Sequence, residues 1–217
     1  MAGNNKSAAL APVAAGEEWL RKADPVMGRL VAHYRPCTLG QTHRDPFHTL
    51  GYSIISQQLS SKAADTIYRR VAARIGAKKR LKPAQLLGCP ATDLRACGLS
   101  NAKARWLHAL AEATQAGTLD FRALKKMDDA SALATLDALP GIGQWTAEMA
   151  LIFAFDRLDI FSMGDVGLRR MVDRLYNKGR PLSDKRTLKL TAAWAPYRSV
   201  ASWYLWRAAD GETAVWA

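Results

Sequence analysis

An all-α fold is predicted by three observations. Apolar residues recur at helical spacing along most of the chain, no two alternating segments are joined as a strand hairpin, and Pro, Gly, Ser and Asp punctuate the helical runs. Residues 1–16 read as a flexible tail and residues 17–34 as one helix, followed by a polar, Pro-containing connector over 35–46. A long apolar segment covers 47–59, after which Ser60 or Ser61 caps a helix through Ala64, Ile67 and Val71. Residues 78–82 form a basic loop, and Pro83 opens a short helix toward Leu87. A break at 98–100 precedes a helix over 103–116. Residues 128–139 have helical spacing, with Leu133, Leu136 and Leu139 on one face. A last series follows: a helix over 144–155, another from Asp165 toward Tyr176, a loop at 179–181 and two closing helices.

The most informative junction is LPGIGQWTA, residues 139–147. Pro140 ends the preceding helix, because it lacks an N–H and disfavours a helical residue before it. Gly141 and Gly143 flank Ile142, so the backbone can turn tightly and present N–H groups without a Cβ in the way. The helix that starts at Gln144 then offers the positive end of its dipole, a site suited to a phosphodiester. A bare Pro-Gly-x-Gly is also an ordinary helix–helix turn. The length of this string and the basic chain favour the anion site.

The 217 residues carry 31 Lys+Arg against 19 Asp+Glu, a formal charge of +12, and 49% are hydrophobic. A folded, basic protein of this kind suits a polyanionic partner. Cys37, Cys89 and Cys97 are odd in number and scattered, which points to a reducing compartment and gives no disulfide framework. Three cysteines cannot supply the four thiolates of an iron–sulfur cluster. The four His show no metal-ligand spacing with Cys or carboxylates, so no metal is expected. No apolar run approaches the roughly 20 residues that span a bilayer, and SAALAPVAAG is too weakly apolar for a signal peptide. A cytoplasmic protein with access to the chromosome, and no membrane partner, is the expectation.

The string LPGIGQWTA followed by a loop and Asp165, with SIISQQLSSKAADTIYRRV (53–71), GLSNAKARWLHALA (98–111) and WAPYRSVASWYLW (194–206), resembles the helix-hairpin-helix DNA glycosylase superfamily. Within it the alkylation-repair group of the 3-methyladenine glycosylase II type is the most similar, and the resemblance spans about residues 17–210. It implies two helical lobes with the active-site cleft between them. Residues 47–128 would form the lobe with a wedge loop, and residues 17–46 would pack on a lobe of residues 129–217 holding the hairpin and the catalytic Asp. Longer members carry an extra N-terminal β domain, so this chain looks like a minimal form.

The resemblance places the catalytic carboxylate at Asp165, in FSMGDVGLRRMV. From the residues alone Asp165 is equally an N-cap, and one side chain can serve both roles. Breaking an N-glycosidic bond develops positive charge on the deoxyribose, which a nearby carboxylate stabilises more than it stabilises the neutral ground state. The same group can orient or deprotonate the attacking water. Alkylated purines are already cationic, so no second acid is needed. Asp156 and Asp159 match nothing functional and read as solvated.

In strand-cleaving relatives a lysine lies two positions after the second hairpin glycine; here Trp145 stands there, and indole cannot form a Schiff base. The resemblance therefore implies a monofunctional enzyme, with Trp145 and Tyr197 as walls of the base pocket. A cationic base is attracted to such aromatic faces. A base must leave the helix stack to react, and the implied wedge that fills the gap lies at Gln57, Gln58 and Leu59, with Gln57 able instead to support the loop through backbone hydrogen bonds. Trp203 and Trp206 read as core. Gly141, Ile142, Gly143, Gln144 and Thr146 make the DNA-binding hairpin, and Lys103 and Arg169, near motif turns, are phosphate candidates. No cofactor is required; a monovalent cation on hairpin carbonyls is the one ion the resemblance allows. The expected partner is double-stranded DNA with damaged bases, bound by a monomer. A glycosylase for deaminated or etheno bases, and a non-enzymatic helix-hairpin-helix DNA-binding module, are the alternatives.

Overall fold

The computed structural model describes residues 4–41 and 44–211. Among these residues the chain is all helical: thirteen α-helices, one short 3-10 turn and no strand. It forms two compact units, one of Arg44–Phe155 and one that joins Met1–His43 to Asp156–Ala217.

The Arg44–Phe155 unit holds α3 (Pro46–Ser56), α4 (Ser61–Arg74), α5 (Pro83–Leu87), α6 (Ala91–Ala96), α7 (Asn101–Gln115), α8 (Phe121–Leu124), α9 (Asp129–Asp137) and α10 (Gln144–Ala154). Most start where a short polar side chain can take an orphan N–H. Asp45, Ser60, Ser100, Asp120 and Asp128 cap α3, α4, α7, α8 and α9 in this way. The apolar α3 is the centre, packed by α4, α7 and α10. Its Leu50, Ile54 and Ile55 are buried with Leu107 of α7 and Leu151 of α10. Each such side chain contributes about 1.5–3 kcal/mol of transfer free energy.

Because α10 packs on both α3 and α9, the hairpin belongs with the residue 44–155 unit. This corrects the boundary expected near residue 128. The turn at residues 139–143 joins two helices of one core, and the division falls after Phe155, where Asp156 takes a left-handed φ of 56°.

The other unit contains α1 (Asn4–Ala23), α2 (Pro25–Tyr34), α11 (Val166–Asn177), α12 (Asp184–Thr191), the 3-10 turn (Ala192–Trp194) and α13 (Arg198–Asp210). Two expectations are corrected here. The segment read as a tail through residue 16 is helical from Asn4, since Ala is the best helix former and Val13, Gly16 and Leu20 bury one face. The predicted helix over 17–34 is two helices, because Pro25 cannot continue α1 and Asp24 caps α2.

Asp24 is buried and its carboxylate takes four donors. Oδ1 accepts from the N–H groups of Val26 (2.8 Å) and Met27 (3.2 Å), while Oδ2 accepts from Tyr176 Oη (2.7 Å) and Trp194 Nε1 (2.9 Å). One side chain thus joins α2, the last turns of α11 and the 3-10 turn. Burial, and then the bond to Asp24, push the Tyr176 phenol well above its usual pKa. Glu17 of α1 makes a second knot, accepting from the Cys37 N–H (2.7 Å) and Tyr204 Oη (2.6 Å).

Candidate active site

The hairpin begins at Gly141, whose φ of 81° suits glycine, and a Cβ there would sink into the ring of Trp106 on α7. Ile142 is buried, and its N–H bonds to the Leu139 carbonyl at 3.0 Å. Gly143 is the N-cap of α10 at φ −93°, an angle open to any residue, and no side chain caps that helix. Nothing lies within 4 Å of where its Cβ would stand. The glycine at 143 therefore keeps space clear outside the protein, while the glycine at 141 allows packing inside it. Gln144 is exposed, with its Nε2 donating to Glu148 Oε1 at 3.0 Å, and Trp145 is 48% exposed.

Thr146 and Ile142 differ from the expectation for a binding hairpin. Both side chains are buried, because they fall on the core-facing side of the turn and of α10. They hold the hairpin, and the exposed lip is Gly143, Gln144 and Trp145.

An unusual prediction follows for Gly143→Asp. Asp is a preferred N-cap and the backbone at 143 accepts it, so the fold should keep or gain a few tenths of a kcal/mol. Binding to DNA of any sequence should nonetheless fall by at least about tenfold, since like charges facing each other at an interface cost several kcal/mol. Thermal unfolding together with a salt-matched DNA titration checks both halves.

The loop from Gln57 to Ser60 links α3 to α4. Gln57 donates its Nε2 to the Gly141 carbonyl at 2.7 Å, tying loop to hairpin, so it supports the loop and does not project from it. Gln58 adopts φ 57° and is exposed, as is Leu59. These two are left as the projecting pair.

Lys103 and Arg169 depart from their expected phosphate role. Lys103 Nζ donates inward, to the carbonyls of Ile55 (2.8 Å) and Gln57 (2.6 Å). Burial lowers its pKa. Arg169 pairs with Asp184 (2.6 Å) and donates to the Leu182 carbonyl (3.0 Å), clamping the loop before α12. Spacing near a turn could not reveal that carbonyls distant in sequence compete for these cations.

Asp165 caps α11: its Oδ1 accepts the Leu168 N–H at 2.8 Å, and it is 9% exposed. The cap and the burial fix the carboxyl in a low-dielectric setting, where its charge acts over a greater distance than in water. Gly167 adapts to it, since a Cβ at that position would stand 3.2 Å from Asp165 Oδ1. The loop leading to Asp165 is pinned to the start of α13. Arg198 donates Nε and an Nη to the two carboxylate oxygens of Asp159 (2.7 and 2.9 Å), and Ser199 bonds to Leu158 and Ile160. Asp159 is therefore a structural partner, not a solvated side chain as expected.

Tyr197 is the N-cap residue of α13 and is half-buried. Its ring lies against Gly16, where a Cβ would approach to 2.8 Å, and 6.4 Å from the exposed ring of Trp19. Of the remaining C-terminal aromatics, Trp194 and Tyr204 are fully buried. Trp203 and Trp206, expected in the core, are half-buried, because α13 turns them partly to its outer side.

Residues 52–196 match the HhH-GPD superfamily of base excision DNA repair proteins. The chain belongs to that family. It is 31% identical over 192 residues to DNA-3-methyladenine glycosylase 1 of Schizosaccharomyces pombe, covering 88% of this chain and 82% of that one. A crystal structure of DNA-3-methyladenine glycosidase from Bacillus halodurans superposes with a TM-score of 0.80 at 38% identity, over 89% of this chain and 88% of that chain. The Schizosaccharomyces pombe 3-methyladenine DNA glycosylase, solved in complex with abasic DNA, superposes with a TM-score of 0.76 at 30% identity, over 90% and 97%.

The HhH-GPD match includes the Gln57–Leu59 loop, the hairpin and Asp165. Sequence reasoning missed Trp106, Gly16, Trp19 and the true partners of Lys103. For Gly16 a faint signal existed, a glycine inside an Ala-rich helical run where only close packing repays its cost.

Proposed function

We propose that this protein is a monofunctional DNA glycosylase that excises 3-methyladenine and related alkylated bases from double-stranded DNA, leaving an abasic site in an intact strand. Its family makes base excision repair its setting, and the 3-methyladenine glycosylases among its relatives support the substrate class. The observation that carries the reading is Asp165, a carboxyl buried and braced by its own helix cap within the family match. As the bond from C1′ to the base breaks, its electron pair leaves with the base and positive charge grows on the sugar. Asp165 stabilises that charge. A water oxygen then bonds to C1′, and its proton passes to the carboxylate or to solvent. A base alkylated on a ring nitrogen departs as a neutral molecule, so the reaction draws on no general acid and no cofactor. The exposed indole of Trp145 occupies the place of the lyase lysine and offers a face to a cationic base. Gly143 and Gln144 would grip the backbone, and Gln58 with Leu59 would fill the gap left by the displaced base.

The test uses methylated duplex DNA, with free bases and strand breaks measured separately. Base release with breaks appearing only after alkali is expected. Prompt breaks would reject the monofunctional reading, and no released base would reject the function.

A further inference from the structure

The geometry points to Lys103 as a positioning residue that holds the Gln58–Leu59 pair rigid against the load of opening the duplex. The inference rests on the wedge reading of that pair. The last turn of α3 ends in carbonyls without helical partners, at the negative end of the helix dipole, and there a lysine is well placed. Lys103 does more than complement the dipole. One ammonium bridges Ile55, inside α3, and Gln57, the C-cap residue from which the loop leaves. Its stem rises from the first turn of α7, which Ser100 caps at 3.2 Å through the N–H of Lys103 itself, so the base of the strut is fixed too.

The loop is short and both ends are tied. At its near end Gln57 is held by Lys103 through its carbonyl and holds the Gly141 carbonyl through its amide, at 2.6 and 2.7 Å. At its far end Ser60 caps α4. Between them Gln58 sits at φ 57°, a strained region for a non-glycine residue that persists only where the surroundings over-determine it. One turn beyond Lys103 on α7, Trp106 fills the space against Gly141. A single helix therefore braces both the loop and the hairpin, and Gln57 links the two. A force on Gln58 or Leu59 passes through Gln57 into Lys103 and α7, within one packed unit.

The alternatives are that Lys103 merely stabilises the fold, or that it contacts phosphate. Lys103→Met keeps the stem and removes the donors. Single-turnover release of 7-methylguanine is measured from a fully paired duplex and from the same lesion in a one-nucleotide bulge, where no stacked pair must be opened. A 2-aminopurine beside the lesion reports unstacking. Loss on the paired duplex on the order of tenfold to a hundredfold is expected, as a displacement of about 1 Å away from the chemistry can cost that much. Release from the bulge should stay within about twofold. Gln57→Met, which cuts the tie to Gly141, should show the same split and serves if Lys103→Met folds poorly.

Equal losses on both substrates would make Lys103 a general stabiliser and overturn the proposal, as would no loss on the paired duplex. The double variant Gln58→Ala with Leu59→Ala separates the layers. If it opens and excises from paired DNA like wild type, the wedge reading has failed and the strut with it. If it is slowed while Lys103→Met is not, the wedge stands and the strut alone is wrong.

Discussion

Asp165→Asn should lower single-turnover base release on the order of a thousandfold while leaving the protein folded and bound to DNA. The size follows from removing one fixed charge aimed at a developing positive centre, where preorganised groups each supply factors of about a hundred to a thousand, and from losing the proton acceptor for water as well. The choice of Asn matters. Its side-chain oxygen can still accept the Leu168 N–H, now met at 2.8 Å by Asp165 Oδ1, and Asn is as good an N-cap as Asp. The start of α11 is therefore preserved, and what disappears is the charge. Thermal unfolding near the wild-type midpoint and DNA affinity within a few-fold would show that the loss is chemical. Release within about tenfold of wild type would remove Asp165 from the mechanism.

The same residue shows how far the sequence was legible. An Asp before an amphipathic run reads as a cap, and the structure bears that reading out. A serine cap on α4, read as Ser60 or Ser61 and found at Ser60, and Pro83 opening α5 were legible for the same reason, because the chemistry of a helix start is local. The short helices α6 (Ala91–Ala96) and α8 (Phe121–Leu124) were not, since each spans too few turns to show a period.

Long-range partners were the least legible. Nothing near Lys103 announces a bond to a carbonyl 46 positions away, and Arg198 finds Asp159 across 39. The unit boundary failed in a related way. The resemblance groups the hairpin with Asp165 in a lobe of residues 129–217, yet α10 carries the apolar residues that complete the core around α3. Marked punctuation in a sequence locates turns, and burial decides which core they serve.

Asp24→Ala should be among the most destabilising single changes. It removes an N-cap, about 0.5–2 kcal/mol. It also leaves the Tyr176 hydroxyl and the Trp194 indole N–H without their acceptor, at about 1–3 kcal/mol for each buried group. Relief by water at half-buried Tyr176 brings the expected total to about 3–5 kcal/mol, or a fall in Tm of about 10 °C at this chain length. Trp194 is fully buried and has no such escape. Denaturant unfolding checks the value, and a loss under about 1 kcal/mol would show that the knot is not a determinant of stability. Adding Tyr176→Phe to Asp24→Ala should cost little more, because the hydroxyl it deletes is already orphaned, whereas in the wild type that substitution breaks a bond to a carboxylate; the double-mutant cycle isolates this coupling. Asp165 begins α11 and Tyr176 lies in its final turn, so the knot anchors the far end of the helix that carries the carboxylate. At low temperature, where the Asp24→Ala protein remains folded, base release should therefore fall far less than in Asp165→Asn, and warming should remove it in step with unfolding.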